Sequence, residues 1–220
     1  MILIKPSYVI ENLDSSKLNL VEKFGRVCYK SEAKMNDDSL KAFLTNIIKS
    51  GHESVIEHFS FSVRFIVDRG VTHELVRHRL AAFSQESTRY CSYNKDKFGN
   101  QITYIIPPWL KDVEPGEYPT YASCNLKNKE NDSSVWMMSM IFLEERYMDL
   151  INNHKWTPQQ ARAILPNSLK TEIVTTANLR EWRHIFKMRT APDAHPQMRE
   201  IMIPLLEELK TIIPIVFDQY

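Results

Sequence analysis

Residues 58–70 read HFSFSVRFIVDRG, and the architecture follows from them. Phe59, Phe61, Val63, Phe65 and Val67 alternate with His58, Ser60, Ser62, Arg64 and Ile66. A period of two places each set on its own side of a pleat, which predicts a strand with one buried face. Asp68-Arg69-Gly70 ends it. Immediately upstream, Asp37-Asp38 precede Leu40, Phe43, Leu44, Ile47 and Ile48. That spacing predicts an amphipathic helix with an acidic start, stopped by Gly51. Immediately downstream, residues 72–81 read as a helix that carries Arg77-His78-Arg79.

Further along, residues 83–100 read as polar and irregular, and Gln101 to Ile106 as a strand stopped by Pro107-Pro108. Residues 111–132 show no period and read as a long excursion. Trp136, Met137, Met140, Ile141, Tyr147, Met148 and Ile151 predict a helix from Ser133 to Asn152. Thr157-Pro158-Gln159-Gln160 has the composition of a capping box with proline at the first helical position, opening a short helix through Arg162 to Leu165. Residues 169–177 are rich in Thr, Ile and Val and predict a second long strand. Asn178 is placed to cap a helix through Arg189, and a last helix starts near Pro196, with Pro204 as an expected kink. Helices with a few well-separated strands predict an α+β fold, and no linker interrupts it, so 1–220 reads as one domain with a mostly antiparallel sheet packed with several helices.

Composition narrows the function. The 220 residues carry 28 Lys+Arg against 27 Asp+Glu, a net charge of +1, which argues against binding a polyanion by bulk charge. A chain of this length buries roughly 70% of its unfolded surface and needs no disulfide staple. Cys28, Cys91 and Cys124 share no C-x-x-C spacing and read as free thiols in a reducing cytoplasm. No stretch approaches the ~18 apolar residues of a membrane span, and the opening MILIKPSYVIE lacks the apolar core of a signal peptide. The five glycines, Gly25, Gly51, Gly70, Gly99 and Gly116, lie too far apart for G-x-G-x-x-G or a P-loop. If a nucleotide binds, side chains rather than glycine-loop amides must hold its phosphates, and arginine has the geometry for that.

Three clusters carry candidate chemistry. Glu74, Arg77, His78, Arg79, Ser84, Gln85, Ser87, Thr88 and Arg89 form the first. Arginines on different faces of a helix can grip a phosphate-rich ligand, although taken alone they read first as a solvated helix end near the negative pole of its dipole. Asn178, Arg180, Arg183, His184, Lys187 and Arg189 form the second, the most basic helix of a neutral chain, with Leu179, Trp182, Ile185 and Phe186 on its buried side. A solvated face or a nucleic-acid reader would share that pattern. The third, His52 to His58 with Glu53 and Glu57, lacks the i, i+4 histidine pair of a zincin helix, so no metal is expected there, and it reads instead as a segment that orients ligands at the mouth of the strand. No G-x-S-x-G or Cys/His pairing marks a nucleophile.

Arg77-His78-Arg79, seven residues and then Ser87, reading RHRLAAFSQESTRY, resembles the R-H-R-x7-S signature of the flavin-dependent thymidylate synthases. SGHESVIEH (50–58), ARAILP (161–166), NLREWRHIFKMR (178–189) and AHPQMRE (194–200) resemble that family's other segments in order, so the resemblance covers about residues 20 to 205. It implies a homotetramer of α+β subunits that makes thymidylate from deoxyuridylate (dUMP). The one-carbon unit comes from methylenetetrahydrofolate, and FAD is reduced by NADPH. No nucleic acid or membrane partner is implied.

By position, the resemblance implies FAD contacts at Ser54, Arg77, His78, Arg79, Gln85, Asn178, Leu179, Arg180 and His184. It implies dUMP contacts at Glu74, Arg77, Gln85, Glu86, Ser87, Thr88, Arg89, Arg162 and Arg189, with Arg189 the catalytic arginine against the uracil ring. Many members have Asn-Glu where this chain has Ser84-Gln85, so the resemblance leaves open which of Gln85 and Glu86 faces the ligand. The stretch between Arg89 and Arg162 is longer than in compact members, an extension that would lid the site or enlarge an interface. A flavoprotein of the same fold without synthase activity is the remaining alternative.

Overall fold

The computed structural model describes residues 1–95, 99–119 and 131–218. In chain order its elements are β1 (Ile2–Ile4), β2 (Ser7–Ile10), α1 (Leu18–Tyr29), α2 (Ser39–Lys49), a 3-10 helix over Glu53–His58, β3 (Ser60–Asp68), α3 (Arg69–Leu75), β4 (Ala82–Gln85), β5 (Thr103–Ile105) and β6 (Gly116–Glu117). There follow α4 (Asp132–Asn152), α5 (Pro158–Ala161), a 3-10 turn over Arg162–Ile164, β7 (Lys170–Asn178), α6 (Leu179–Arg189), α7 (Pro196–Ile212) and α8 (Pro214–Phe217). The fold is α+β, with antiparallel sheet packed against helices, as the sequence predicts. One sheet has the order β2-β3-β7-β4. The other has the order β5-β1-β6, where β1 runs antiparallel to β6 and parallel to β5.

The two long strands, β3 and β7, show the alternation read from their residues: Phe61, Val63, Phe65 and Val67 are buried on one, Thr171, Ile173, Thr175 and Ala177 on the other. The chain divides into two compact units, 1–7 with 65–75 and 84–173, and 8–64 with 76–83 and 174–220.

In the first unit, α4 buries Met137, Met140, Ile141 and Tyr147 in a core with Leu3, Ile102, Tyr104 and Leu169. Glu144 lies on that same stripe and accepts from the Ile102 N–H at 2.7 Å, which satisfies a buried donor. The Thr157–Gln160 capping box forms as predicted and starts α5. In the second unit, Val21, Leu44, Ile47, Ile56, Trp182, Phe186, Leu205 and Phe217 are buried. Trp182 stacks on Phe61 at 5.0 Å between centroids and on Phe186 at 5.8 Å, and Phe217 meets Phe186 edge-on at 5.6 Å.

Two expectations are corrected. Residues 83–100 are not irregular throughout, because β4 reaches Gln85. The helix read over 72–81 ends at Leu75, and Arg77-His78-Arg79 lie in the turn that follows. The Asp68 carboxylate accepts from the Val71 N–H at 2.9 Å and starts α3 seven residues before that end. Beyond Leu75 the backbone turns, with the Ala81 N–H donating to the His78 carbonyl at 3.1 Å. His78 is buried while Arg77 and Arg79 are exposed. Burial of the imidazole therefore outweighs the helix propensity of its arginine and leucine neighbours. Cys28 and Cys91 are free thiols, whereas Cys124 and the middle of the predicted excursion lie outside the described residues.

Candidate active site

α6 organises the second unit's share of the candidate residues. Asn178 at the end of β7 accepts from the Glu181 N–H at 2.9 Å, satisfying one of the helix's orphan donors. That cap sets the phase of α6. Trp182, Ile185 and Phe186 enter the core, and Arg180, His184, Lys187 and Arg189 face the other way. This outer face, the turn with Arg77, His78, Arg79 and Leu80, and Glu53 and Glu57 of the 3-10 helix line a cleft of about 1210 Å³. The lining includes six cations, Arg77, Arg79, Arg180, Arg183, Lys187 and Arg189, against the carboxylates of Glu53, Glu57 and Glu181. The excess of guanidinium groups suits an anionic ligand with several phosphate oxygens.

Two of those cations are committed to protein partners. Arg183 is 4% exposed, pairs with Glu53 at 3.1 Å and donates to the Val216 carbonyl, which ties α6 to the 3-10 helix and to α8. Arg180 is exposed and pairs with Glu57 at 2.6 Å, with Glu53 3.8 Å away. Arg180 can exchange these carboxylates for a ligand's oxygens at little cost, because exposed ion pairs contribute little. Arg183 cannot, because breaking a buried pair strands a charge.

At the centre of the cleft, Arg189 Nε donates to His78 Nε2 at 2.9 Å. A guanidinium has no acceptor, so this bond requires a lone pair on Nε2. Burial holds the His78 pKa down at about 4, with the charges of Arg189 and His184 adding to the effect. The imidazole is therefore neutral at pH 7, with its proton assigned by these bonds to Nδ1. Nδ1 lies 3.5 Å from Glu181 Oε1, and the His184 ring meets His78 edge-on at 5.5 Å. Burial pushes the Glu181 carboxyl up from its ordinary value, partly offset by His184.

Two other candidates of this unit lie apart from the cleft lining. Ser54 is exposed on the 3-10 helix between Glu53 and Glu57. Leu179 is fully buried, and its N–H donates to the Phe59 carbonyl at 2.9 Å, so its side chain serves the core. In the His52–His58 segment, Tyr29 Oη and His52 Nδ1 share a hydrogen bond of 2.6 Å, and His58 meets the Phe24 ring at 5.2 Å. Among the described residues no group of three His, Cys, Asp or Glu is placed to hold a metal ion.

Glu74, Gln85, Glu86, Ser87, Thr88, Arg89 and Arg162 belong to the first unit. Gln85 alternates inward on β4, where Nε2 donates to Thr72 Oγ1 at 2.9 Å and to Thr171 Oγ1 at 3.3 Å. Glu86 pairs with Lys170 at 3.1 Å, and Lys170 also reaches Glu172 at 2.7 Å. Burial alone would lower the Lys170 pKa, but its bonds to Glu172 and Glu86 outweigh it and keep the ammonium charged. The Ser87 carbonyl accepts from the Tyr90 and Cys91 N–H groups at 3.2 and 2.9 Å, forming a turn that buries Thr88 and exposes Arg89. Arg89 Nε donates to Gln159 Oε1 at 3.3 Å. Gln159 lies on α5, three residues before the exposed Arg162, so α5 supports both arginines. Glu74 is half-buried on the last turn of α3.

Comparison with known proteins shows the family and the fold. Residues 9–215 match the family model described as thymidylate synthase complementing protein. A flavin-dependent thymidylate synthase of Mycobacterium avium is 34% identical over 207 residues, covering 91% of this chain and 78% of the relative. That of Mycobacterium tuberculosis H37Rv is 33% identical over the same shares. The chain belongs to the flavin-dependent thymidylate synthase family. Its fold is shared with thymidylate synthase X of Helicobacter pylori, solved with FAD and dUMP, at a TM-score of 0.73 and 20% identity over 97% of this chain and 98% of that one. A UMP/dUMP methylase of Streptomyces cacaoi, bound with 5-Br dUMP, matches with a TM-score of 0.76 and 20% identity over 99% and 96%.

In the sequence of this flavin-dependent thymidylate synthase family member Glu53 and Glu57 stand in the third cluster and Glu181 beside the second, but not as site residues; all three line the cleft as counter-charges, and Lys170, which no cluster includes, holds Glu86. Glu181 stands three residues after the cap Asn178, the position where an acidic residue ordinarily reads as part of a helix start.

Proposed function

We propose that this chain methylates dUMP to thymidylate, with 5,10-methylenetetrahydrofolate as the one-carbon donor and NADPH as the reductant of FAD. When bound, the flavin supplies the hydride of that reductive step. The residues fit it: a cleft edged by exposed guanidinium groups, without a glycine loop, offers charge-assisted donors for a pyrophosphate. In this reading Arg77, His78, Arg79, Asn178, Arg180 and His184 hold the flavin nucleotide, with Ser54, the Leu179 backbone and Gln85 alongside. Arg89 and Arg162 clamp the dUMP phosphate, supported by Ser87, Thr88, Glu74 and Arg77. Because Gln85 keeps its amide oxygen available while Glu86 is paired with Lys170, Gln85 is the better ligand contact of the two.

The observation that carries the proposal is the Arg189–His78 bond. A neutral imidazole accepts from a permanently charged guanidinium and anchors it at the cleft. Such a cation stabilises negative charge developing on a uracil ring. The buried pairing of Arg183 with Glu53 weighs against a nucleic-acid reader on α6, whose cations would have to face outward together. No helix among the described residues is long and apolar enough to cross a membrane. We place the enzyme in the cytoplasm as a homotetramer, each chain one catalytic domain over 1–220.

The test is thymidylate formation by the FAD-loaded protein, with folate present or omitted, beside Arg189→Ala. Wild type should form thymidylate only with the folate, and Arg189→Ala should keep its flavin spectrum while losing about 100-fold or more in turnover. Near-normal turnover in Arg189→Ala would remove the role given to Arg189. Bound flavin with no thymidylate from wild type would leave a flavoprotein of the same fold without synthase chemistry.

A further inference from the structure

We propose that Glu181 is a positioning residue which, acting through His78, aims the Arg189 guanidinium into the cleft; this rests on the role given above to Arg189. One hydrogen bond and one longer approach connect the three side chains. Glu181 Oε1 lies 3.5 Å from His78 Nδ1, and His78 Nε2 accepts from Arg189 Nε at 2.9 Å. A neutral imidazole has two tautomers, and the bond made by one nitrogen selects the state of the other. Only the Nδ1–H tautomer both donates towards Glu181 and accepts from Arg189. In the other tautomer an N–H would confront the Arg189 N–H, and the guanidinium would have to turn away.

Helix-start chemistry alone does not explain Glu181. A carboxylate placed to complement the helix dipole gains from remaining in water, whereas Glu181 is 5% exposed. In a capping box its side chain would reach back to the cap. Asn178 does accept from the Glu181 N–H, as a cap would, but the Glu181 carboxylate lies towards a histidine on another segment. The charged and titratable groups around His78 are Glu181, His184 and Arg189 on α6 and the flanking Arg77 and Arg79 of its own turn. Of these, only Glu181 brings a carboxylate oxygen towards Nδ1. Glutamine keeps an acceptor of the same reach without the charge, whereas alanine has none.

The experiment uses the FAD-loaded enzyme labelled with 15N-histidine, comparing wild type, Glu181→Gln and Glu181→Ala, with His78→Gln to assign the ring signals. At pH 7 the wild type and Glu181→Gln should show a neutral His78 with its proton on Nδ1. In Glu181→Ala the proton should move wholly or partly to Nε2. Thymidylate turnover should fall about 10- to 100-fold in Glu181→Ala with flavin retained, and stay within about threefold of wild type in Glu181→Gln. The proposal is overturned by a wild-type His78 that is doubly protonated or carries its proton on Nε2. It is equally overturned by a Glu181→Ala protein that keeps the Nδ1–H form, or by Gln and Ala variants that lose turnover alike. If wild type makes no thymidylate, the synthase reading fails while the tautomer still decides the positioning. If Glu181→Ala does not fold, the wild-type tautomer and the Glu181→Gln turnover decide it.

Discussion

Acidification should destabilise this protein through one residue. His78 is 5% exposed, and burial, with Arg189 and His184 adding, sets its folded pKa at about 4 against 6.5 for a free histidine. Between those values the unfolded chain binds a proton that the folded chain refuses. Stability therefore rises with pH across the window and is lost as pH falls from 6.5 towards 4. At about 1.4 kcal/mol per pKa unit the whole window is worth about 3 kcal/mol, of which about 2 kcal/mol should be lost by pH 4.5. Glu181 acts in the opposite direction. Its folded pKa is raised by burial, so its carboxyl costs stability as pH rises beyond the ordinary carboxylate range. The wild-type slope thus mixes His78 with carboxyls such as Glu181, and the difference from His78→Gln isolates it. Urea unfolding followed by tryptophan fluorescence at pH 7, 5.5 and 4.5, at one protein concentration, gives both slopes. The loss of stability between pH 7 and 4.5 should be about 2 kcal/mol larger in wild type. Parallel slopes in the two proteins would refute the neutral buried imidazole.

Two further substitutions test the packing beneath the cleft. A Cβ on Gly25 of α1 would lie 2.5 Å from Phe43 Cζ and 2.6 Å from Val55 Cγ1, so Gly25→Ala should destabilise by about 1–2 kcal/mol in spite of alanine's better helix propensity. Thermal unfolding reads this as a fall of several degrees, and an unchanged or higher midpoint would show that Phe43 and Val55 yield freely. Arg183→Met leaves Glu53 without its 3.1 Å partner and the Val216 carbonyl without that donor. With Arg180 still 3.8 Å from Glu53, the expected loss is about 2–4 kcal/mol by urea unfolding, and a loss below about 1 kcal/mol would count against a structural role for the pair.

Where period and packing coincide, the sequence was legible. β3 and β7 alternate because each buries one face, and α6 follows its apolar spacing because Trp182, Ile185 and Phe186 enter one core. α1 was hidden for the converse reason. Its buried stripe is Leu18, Val21, Glu22, Gly25 and Arg26, and two of those positions are a charged pair joined inside by Arg26 bonds of 2.8 and 2.5 Å to Glu22 Oε1. Its larger apolar residues, Leu20, Phe24 and Val27, are exposed. A pattern scored on hydrophobicity therefore points to the wrong face of that helix. Gln85 shows a similar limit. That its amide serves Thr72 and Thr171 depends on residues 13 and 86 positions away, which no local spacing encodes.

The R-H-R triplet shows why residue types can be read from sequence before their roles. On a helix the three side chains would fan out at about 100° intervals and be similarly exposed. In the turn after α3 they alternate, with Arg77 and Arg79 outward and His78 inward against α6. The two arginines remain available to a ligand, while the histidine engages Arg189 of another element, 111 residues along the chain. The same three letters thus divide into two kinds of work, and depth rather than identity makes the division. Depth also explains the neutrality of His78: exposed like its neighbours it would titrate near 6.5, and on protonation it would lose the lone pair that Arg189 requires. An inward histidine between two outward arginines is therefore what lets one short segment both attract an anion and hold a distant guanidinium in place.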